Sequence, residues 1–135
     1  MRLMQLSTRL VVTCAAVVGV VFVPVVAAAA IPEDARNTIR QVHAAATKED
    51  LAALRLLMVR DFQWSFGGDT DAQQALDAWK ADPKYLRSLR RVTSQTCGFI
   101  TRQIVQCPVK AGASFRAGFE RTPEGWRMRY FVEGE

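Results

Sequence analysis

His43 and Asp61 are the residues of this 135-residue chain whose types best suit proton transfer. His43 is the sole histidine. Its imidazole titrates near neutrality, and a carboxylate such as Asp61 beside it would fix the tautomer for general acid–base work. Against that reading, His43 falls one turn after Ile39 and beside Val42, at the edge of an apolar helical stripe, where partial burial explains it equally well. No catalytic residue is therefore assigned; His43 and Asp61 remain the two candidates. A Ser-His-Asp hydrolase fits worse, because Ser65 precedes Phe66-Gly67-Gly68 rather than standing between glycines in a G-x-S-x-G elbow. Gly67-Gly68 would suit an anion cradle at a helix N-terminus, but Asp69 and Asp71 at the same mouth would repel the anion. The better expectation there is a sharp strand-to-helix turn capped by Asp69 or Thr70. Asp61, Asp69 and Asp71 lack calcium-loop spacing, and Cys97 and Cys107 with one distant histidine do not make a zinc tetrahedron. Neither a metal nor another cofactor is expected.

Positive charge is the remaining chemical signal. Lys84 to Arg129 holds ten basic residues against Glu120 and Glu124. Lys84, Arg87 and Arg91 fall on one face of a helix, and Arg116 and Arg129 on the outer face of a C-terminal hairpin. A solvated face is the ordinary explanation, and cations near a helix C-terminus also complement its dipole. Brought together, these five would attract an anionic envelope polymer, a lipid headgroup or an acidic protein. Nucleic acid is not an expected partner, because the destination is wrong and no recognition motif is present.

The destination follows from the N-terminus. Arg2 and Arg9 precede an uncharged stretch from Leu10 to Ile31 that closes in Ala27-Ala28-Ala29-Ala30, the pattern of an export signal over residues 1–30. Cleavage after Ala30 would remove 30 of the 135 residues and leave 105 as one domain, residues 31–135. The alternative is an uncleaved anchor, since the stretch is long enough to span a bilayer and would be the protein's sole membrane contact. Both place the domain outside the inner membrane, periplasmic or secreted, with Arg2 and Arg9 on the cytoplasmic side. Without those two arginines the 18 basic residues fall to 16 against 13 acidic, a charge of about +3. Cys14 does not fit a lipidation site, because Thr13 precedes it and Arg9 is too close. Losing Cys14 with the signal turns three cysteines into an even pair, so a Cys97–Cys107 disulfide is expected, stabilising by roughly 2–3 kcal/mol.

The elements that must position these residues read as an α+β domain, about four N-terminal and central helices on a small antiparallel sheet ending in a C-terminal hairpin. Pro32, Glu33 and Asp34 open a first helix, with Ala35, Ile39, Val42 and Ala46 as its apolar stripe. Thr47 to Asp50 has capping-box spacing before a second helix that turns Leu51, Leu54, Leu57 and Met58 inward; one continuous helix is the other reading. Phe62, Trp64 and Phe66 alternate with polar residues as a half-buried strand. A capping box at Thr70 to Gln73 starts a third helix carrying Ala72, Ala75, Leu76 and Trp79, and Asp82-Pro83 starts a fourth carrying Tyr85, Leu86, Leu89 and Val92. Cys97 to Val109 reads as two short strands, or a strand and a loop.

Thr122-Pro123-Glu124-Gly125 is a turn between two strands. The expected register sets Arg121 against Trp126, Glu120 against Arg127, Phe119 against Met128, Ala117 against Tyr130 and Phe115 against Val132. Every apolar pair then shares the buried face, with Phe131 as the exception. The aromatic set Trp64, Phe66, Trp79, Tyr85, Trp126 and Tyr130 is expected in the core.

Phe62-Gln63-Trp64-Ser65-Phe66-Gly67-Gly68-Asp69, then Ala75, Trp79, Asp82-Pro83, Leu89, Cys97, Cys107-Pro108, Gly125-Trp126, Phe131 and Gly134, resemble a group of small exported bacterial proteins across nearly all of residues 31–135. The stretch Ser65 to Asp69 also resembles part of a domain found beside SH3-like modules in exported bacterial proteins. Neither resemblance carries a catalytic assignment. In architecture, the order of helices, a strand ending in two glycines, a further helix and an aromatic-rich hairpin is similar to the NTF2-like (SnoaL-like) fold, which would imply a cone-shaped pocket. Two functional classes follow: a non-catalytic binding or interaction module outside the inner membrane, or an NTF2-like small-molecule binder or enzyme using His43 and Asp61.

Overall fold

The computed structural model describes residues 12–24, 29–65 and 68–134. Residues 12–24 and 29–32 have no regular secondary structure, and none of the described helices is long and apolar enough to cross a membrane. Arg2, Arg9, Leu10, Ala27, Ala28, Phe66 and Gly67 lie outside the described residues.

Helix α1 (Glu33–Lys48) follows Pro32, with Glu33 and Asp34 in its first turn and Ala35, Ile39, Val42 and Ala46 buried. It stops at Glu49, which takes a left-handed conformation (φ 56°). That reversal decides the break: there are two helices. The cap of α2 (Leu51–Leu57) is Asp50, whose carboxylate accepts from the Ala53 amide at 3.0 Å. Thr47, expected as the cap, still lies inside α1 and donates its hydroxyl to the His43 carbonyl. Met58 is also displaced from its expected place. It is extended and opens β1 (Met58–Gln63), ending α2 one residue earlier, because the chain must straighten there to pair with the last strand.

Trp64 follows β1 rather than belonging to it, in a loop closed by its amide donating to the Asp69 carbonyl and by a Gln63–Thr70 bridge. Helix α3 (Ala72–Ala81) is capped by Asp71, which accepts from the Gln74 amide at 2.8 Å. Asp69, one of the two expected caps, instead accepts from the Ser65 hydroxyl within the loop, and Thr70 makes the bridge. Helix α4 (Lys84–Thr93) starts where Asp82-Pro83 indicates, with the Asp82 carboxylate accepting from the Lys84 amide.

Strands β2 (Gly98–Phe99), β3 (Ile104–Cys107), β4 (Phe115–Thr122) and β5 (Gly125–Glu133) form an antiparallel meander. Strand β1 joins the far edge parallel to β5, giving the order β1-β5-β4-β3-β2. The sheet is thus mixed, not antiparallel throughout. The expected α+β layering holds, with four helices over one face and the core between the layers.

Near the turn the hairpin has the expected register, pairing Arg121 with Trp126, Glu120 with Arg127 and Phe119 with Met128. Then it slips. A bulge sets Gly118 against Tyr130, Ala117 against Phe131 and Arg116 against Val132, with Arg129 as the extra residue. Phe131 therefore faces the core, and the expected Ala117–Tyr130 and Phe115–Val132 pairs do not form. Buried apolar area selects this arrangement: Phe131 stacks on Phe115 at 5.1 Å and meets the edge of Trp79 at 5.5 Å, while Trp79 also meets Phe62. Tyr130 moves to the outer face and lies across Gly118, where a Cβ would come within 2.1 Å of its ring.

Two substitutions should move stability in opposite directions in urea unfolding. Gly118→Ala, which collides with Tyr130, should cost about 1–3 kcal/mol, whereas Glu49→Gly, which relieves a left-handed backbone, should add about 0.5–1 kcal/mol. An unchanged midpoint for Gly118→Ala would mean that Tyr130 does not cover that position.

Candidate functional site

The His43 ring faces α4. Its Nδ1 lies 3.0 Å from the Arg90 carbonyl and 3.0 Å from the Thr93 hydroxyl, and that hydroxyl donates to the Leu89 carbonyl at 2.8 Å. The imidazole thus ties α1 to the last turn of α4. Asp61, on β1, receives the Arg129 guanidinium at 2.6 Å on the outer side of the sheet. That contact holds the Asp61 carboxyl below the usual carboxylate range. Arg129 also approaches Glu120 at 3.8 Å. No hydrogen bond joins His43 to Asp61 among the described residues, so the structure does not bring the proposed pair together.

The interior offers little room for chemistry. Trp79, Trp126, Phe62, Phe119, Phe131, Leu54, Leu89 and Met128 are fully buried and fill the space between helices and sheet. Among the described residues, surface depressions of about 210–390 Å³ reach the edge of this core, one of them at Trp79, and neither His43, Asp61, Trp64 nor Trp126 lines these five. The Nε1 groups of Trp64 and Trp126 have no hydrogen-bond partner among the described residues.

The five expected cations divide. Lys84, Arg87 and Arg91 are exposed on α4, which packs on the inner face through Tyr85 against Phe115. Arg116 and Arg129 alternate with buried Phe115, Ala117 and Met128 and so emerge on the opposite side of the sheet. Arg129 is matched by two carboxylates, and Arg116 donates to the Gly112 carbonyl at 2.6 Å. Of the five, Lys84, Arg87 and Arg91 have no carboxylate within ion-pair distance among the described residues.

One polar cluster was not anticipated. On the outer face the Tyr130 hydroxyl donates to Gln106 Oε1 at 2.6 Å, and the Gln106 amide donates to the Pro108 carbonyl at 3.0 Å. Burial pushes the Tyr130 phenol up to about 12, with nearby Arg116 pulling the other way. Gly118 was the available signal, since glycine within a strand marks a close approach.

Cys97 and Cys107 form the expected disulfide, which fastens the end of β3 to the segment leaving α4 and suggests a non-cytoplasmic, oxidising setting.

No protein-family model matches the chain, and no curated protein matches it. Among solved structures it is similar to a ketosteroid isomerase candidate from Shewanella frigidimarina NCIMB 400, at 18% identity and TM-score 0.49, covering 74% of this chain and 94% of the other. It is also similar to an NTF2-like protein of unknown function from Shewanella oneidensis MR-1, at 12% identity and TM-score 0.48, covering 76% and 98%. A third is an NTF2-like protein with a cystatin-like fold from Novosphingobium aromaticivorans, at 18% identity and TM-score 0.44, covering 76% and 79%.

Two measurements check these placements. Tyr130 has a raised folded-state pKa, so its contribution is fully present below the unfolded value of 10.0 and lost as pH rises through about 12. Alkaline unfolding of the parent should show that loss and Tyr130→Phe should lack it, while losing about 1 kcal/mol at neutral pH with the hydrogen bond; identical alkaline profiles would place the phenol in water. Replacing both Cys97 and Cys107 by Ala should cost about 2–3 kcal/mol by the loop-closure argument, measured as a lower urea midpoint matched by the reduced parent.

Proposed function

We propose that this protein is a non-catalytic binding module acting outside the inner membrane, after removal of residues 1–30, and that it holds an anionic envelope component or acidic protein against α4. The observation that carries this reading is the filled interior: a chemical site needs reacting groups gathered around a substrate-sized space, whereas here His43 is engaged by α4 and Asp61 by Arg129. The exposed row of Lys84, Arg87 and Arg91, with no ion pair among the described residues, supports α4 as the binding surface. The alternative of an NTF2-like enzyme working through His43 and Asp61 gains nothing from this arrangement. The resemblance of Phe62 to Gly134 to small exported bacterial proteins and the Cys97–Cys107 bridge support the destination.

The protein recovered after export, immobilised and challenged with envelope fractions, should capture material at low salt and release it as ionic strength rises. Reversing charge at Lys84 and Arg87 to Glu should cut capture by about an order of magnitude. Capture that ignores both salt and the reversals would remove α4 as the binding surface, and recovery of the protein solely in the cytoplasm would remove the destination.

A further inference from the structure

We infer that the cleft between the end of α4 and the 108–114 loop is a binding site for a small anion, a carboxylate or phosphate group. The cleft has a volume of about 360 Å³ and is lined by Arg91, Gln95, Pro108, Lys110, Ser114 and Phe115 among others. That volume lies at the lower end of small-molecule sites. Its polar groups have nothing else to do. Neither Arg91 nor Lys110 has a carboxylate within ion-pair distance among the described residues, in contrast to Arg129 on the far side of the sheet. The Gln95 carboxamide and the Ser114 hydroxyl likewise make no hydrogen bond to another described residue, leaving two cations and two neutral hydrogen-bonding groups at one mouth.

Among the described residues, no acidic residue lines the cleft. Glu133, opposite Phe115 in the sheet register, is the acidic residue nearest in the ladder and is not part of the lining. The C-terminus of α4 opposes an anion with a partial charge of about −0.5, which two full positive charges outweigh. Its last carbonyls are moreover engaged, Arg91 by the amide and hydroxyl of Ser94 and Val92 by the Gln95 amide. The base of the cleft is rigid: Phe115 is buried and held by Tyr85 and Phe131, with buried Val92 and half-buried Pro108 beside it. The charged head of the anion therefore meets Arg91 and Lys110.

The walls are fixed in advance. Gln95 stands two residues before Cys97, and Pro108 directly follows Cys107, so the disulfide joins one wall to the other. The Val109 amide adds a 3.0 Å bond to the Thr96 carbonyl. The loop is closed by the Ser114 amide donating to the Ala111 carbonyl, and its outer side is held by Arg116 at Gly112. A preorganised site loses less freedom on binding.

This inference rests on the binding-module reading and shares Arg91 with it, but Gln95, Lys110 and Ser114 belong to the cleft and Lys84 and Arg87 to the α4 face, so the two fail separately. The protein recovered after export would be titrated with n-octyl phosphate and with octanoate and followed by amide NMR, with octyl glucoside as the uncharged control. Both anions should shift the Arg91, Gln95, Lys110 and Ser114 resonances saturably. Arg91→Gln and Lys110→Gln should each weaken binding at least about fivefold with the remaining spectrum unchanged, while the Lys84 and Arg87 reversals stay within about twofold of the parent. Vesicles of phosphatidylcholine with phosphatidylglycerol separate the sources. Capture that Arg91→Gln abolishes supports a lipid headgroup, and binding of octyl phosphate without vesicle capture supports a free soluble acid. No saturable shift at millimolar anion, equal shifts with octyl glucoside, or undiminished affinity in both glutamine variants would overturn the site. Envelope capture without anion binding would remove the cleft and keep the α4 surface; anion binding without envelope capture would do the reverse.

Discussion

Arg129, the extra residue in β5, is the constraint on which the packing depends. An unbroken alternation from Trp126 would turn Tyr130 toward the helices and Phe131 toward solvent; the bulge after Met128 lets Trp126, Met128 and Phe131 share the inner face. Burying a phenylalanine rather than exposing it is worth about 2–3 kcal/mol, which is large for a domain of this size. Each neighbouring element then finds its contact. Helix α3 supplies Trp79, held edge-on between Phe62 and Phe131, and α4 supplies Tyr85 against Phe115, itself stacked on Phe131. Thr38 of α1 donates to the Trp126 carbonyl at 3.3 Å.

The same slip sorts polar from apolar groups. Tyr130 is sent outward with its hydroxyl, where Gln106 satisfies it over the space left by Gly118. The core is left with close-packed hydrocarbon and aromatic rings, and titratable chemistry is confined to surfaces. The disulfide acts at the other side of the sheet: β2 has two residues, too few to hold an edge unaided, and the Cys97–Cys107 bond fastens it to β3 and to the exit of α4. One covalent link thus contributes both to stability and to the shape of the Arg91–Lys110 cleft.

What could be read from the amino acids was local and periodic. The stripe Ala35, Ile39, Val42, Ala46 specified α1, Asp82-Pro83 marked the start of α4, and turn chemistry with the alternation of Phe115, Ala117 and Phe119 specified the hairpin near its turn. Capping residues were misplaced because Thr47 and Asp50, or Asp69, Thr70 and Asp71, all carry oxygens able to cap. Which one does so depends on where the backbone leaves the helix, and a left-handed Glu49 has no sequence signature. The bulge was hidden for a related reason, since a period of two has no place for an extra residue, although Phe131 breaking the alternation and Gly118 within a strand both pointed to it. The parallel pairing of β1 with β5 links residues about 70 apart, and the Arg91–Lys110 cleft likewise depends on the disulfide and loop that bring its walls together. The split of the five cations across the sheet was equally invisible until the two layers were assembled.

The packing depends on Phe131, and not Tyr130, facing the helices. Cross-strand nuclear Overhauser effects in the folded protein test that pairing directly. Contacts linking Phe119 to Met128 and Ala117 to Phe131 are the result this structure requires. Contacts linking Ala117 to Tyr130 and Phe115 to Val132 would restore the unbroken register, place a phenol hydroxyl in the interior and contradict the filled core.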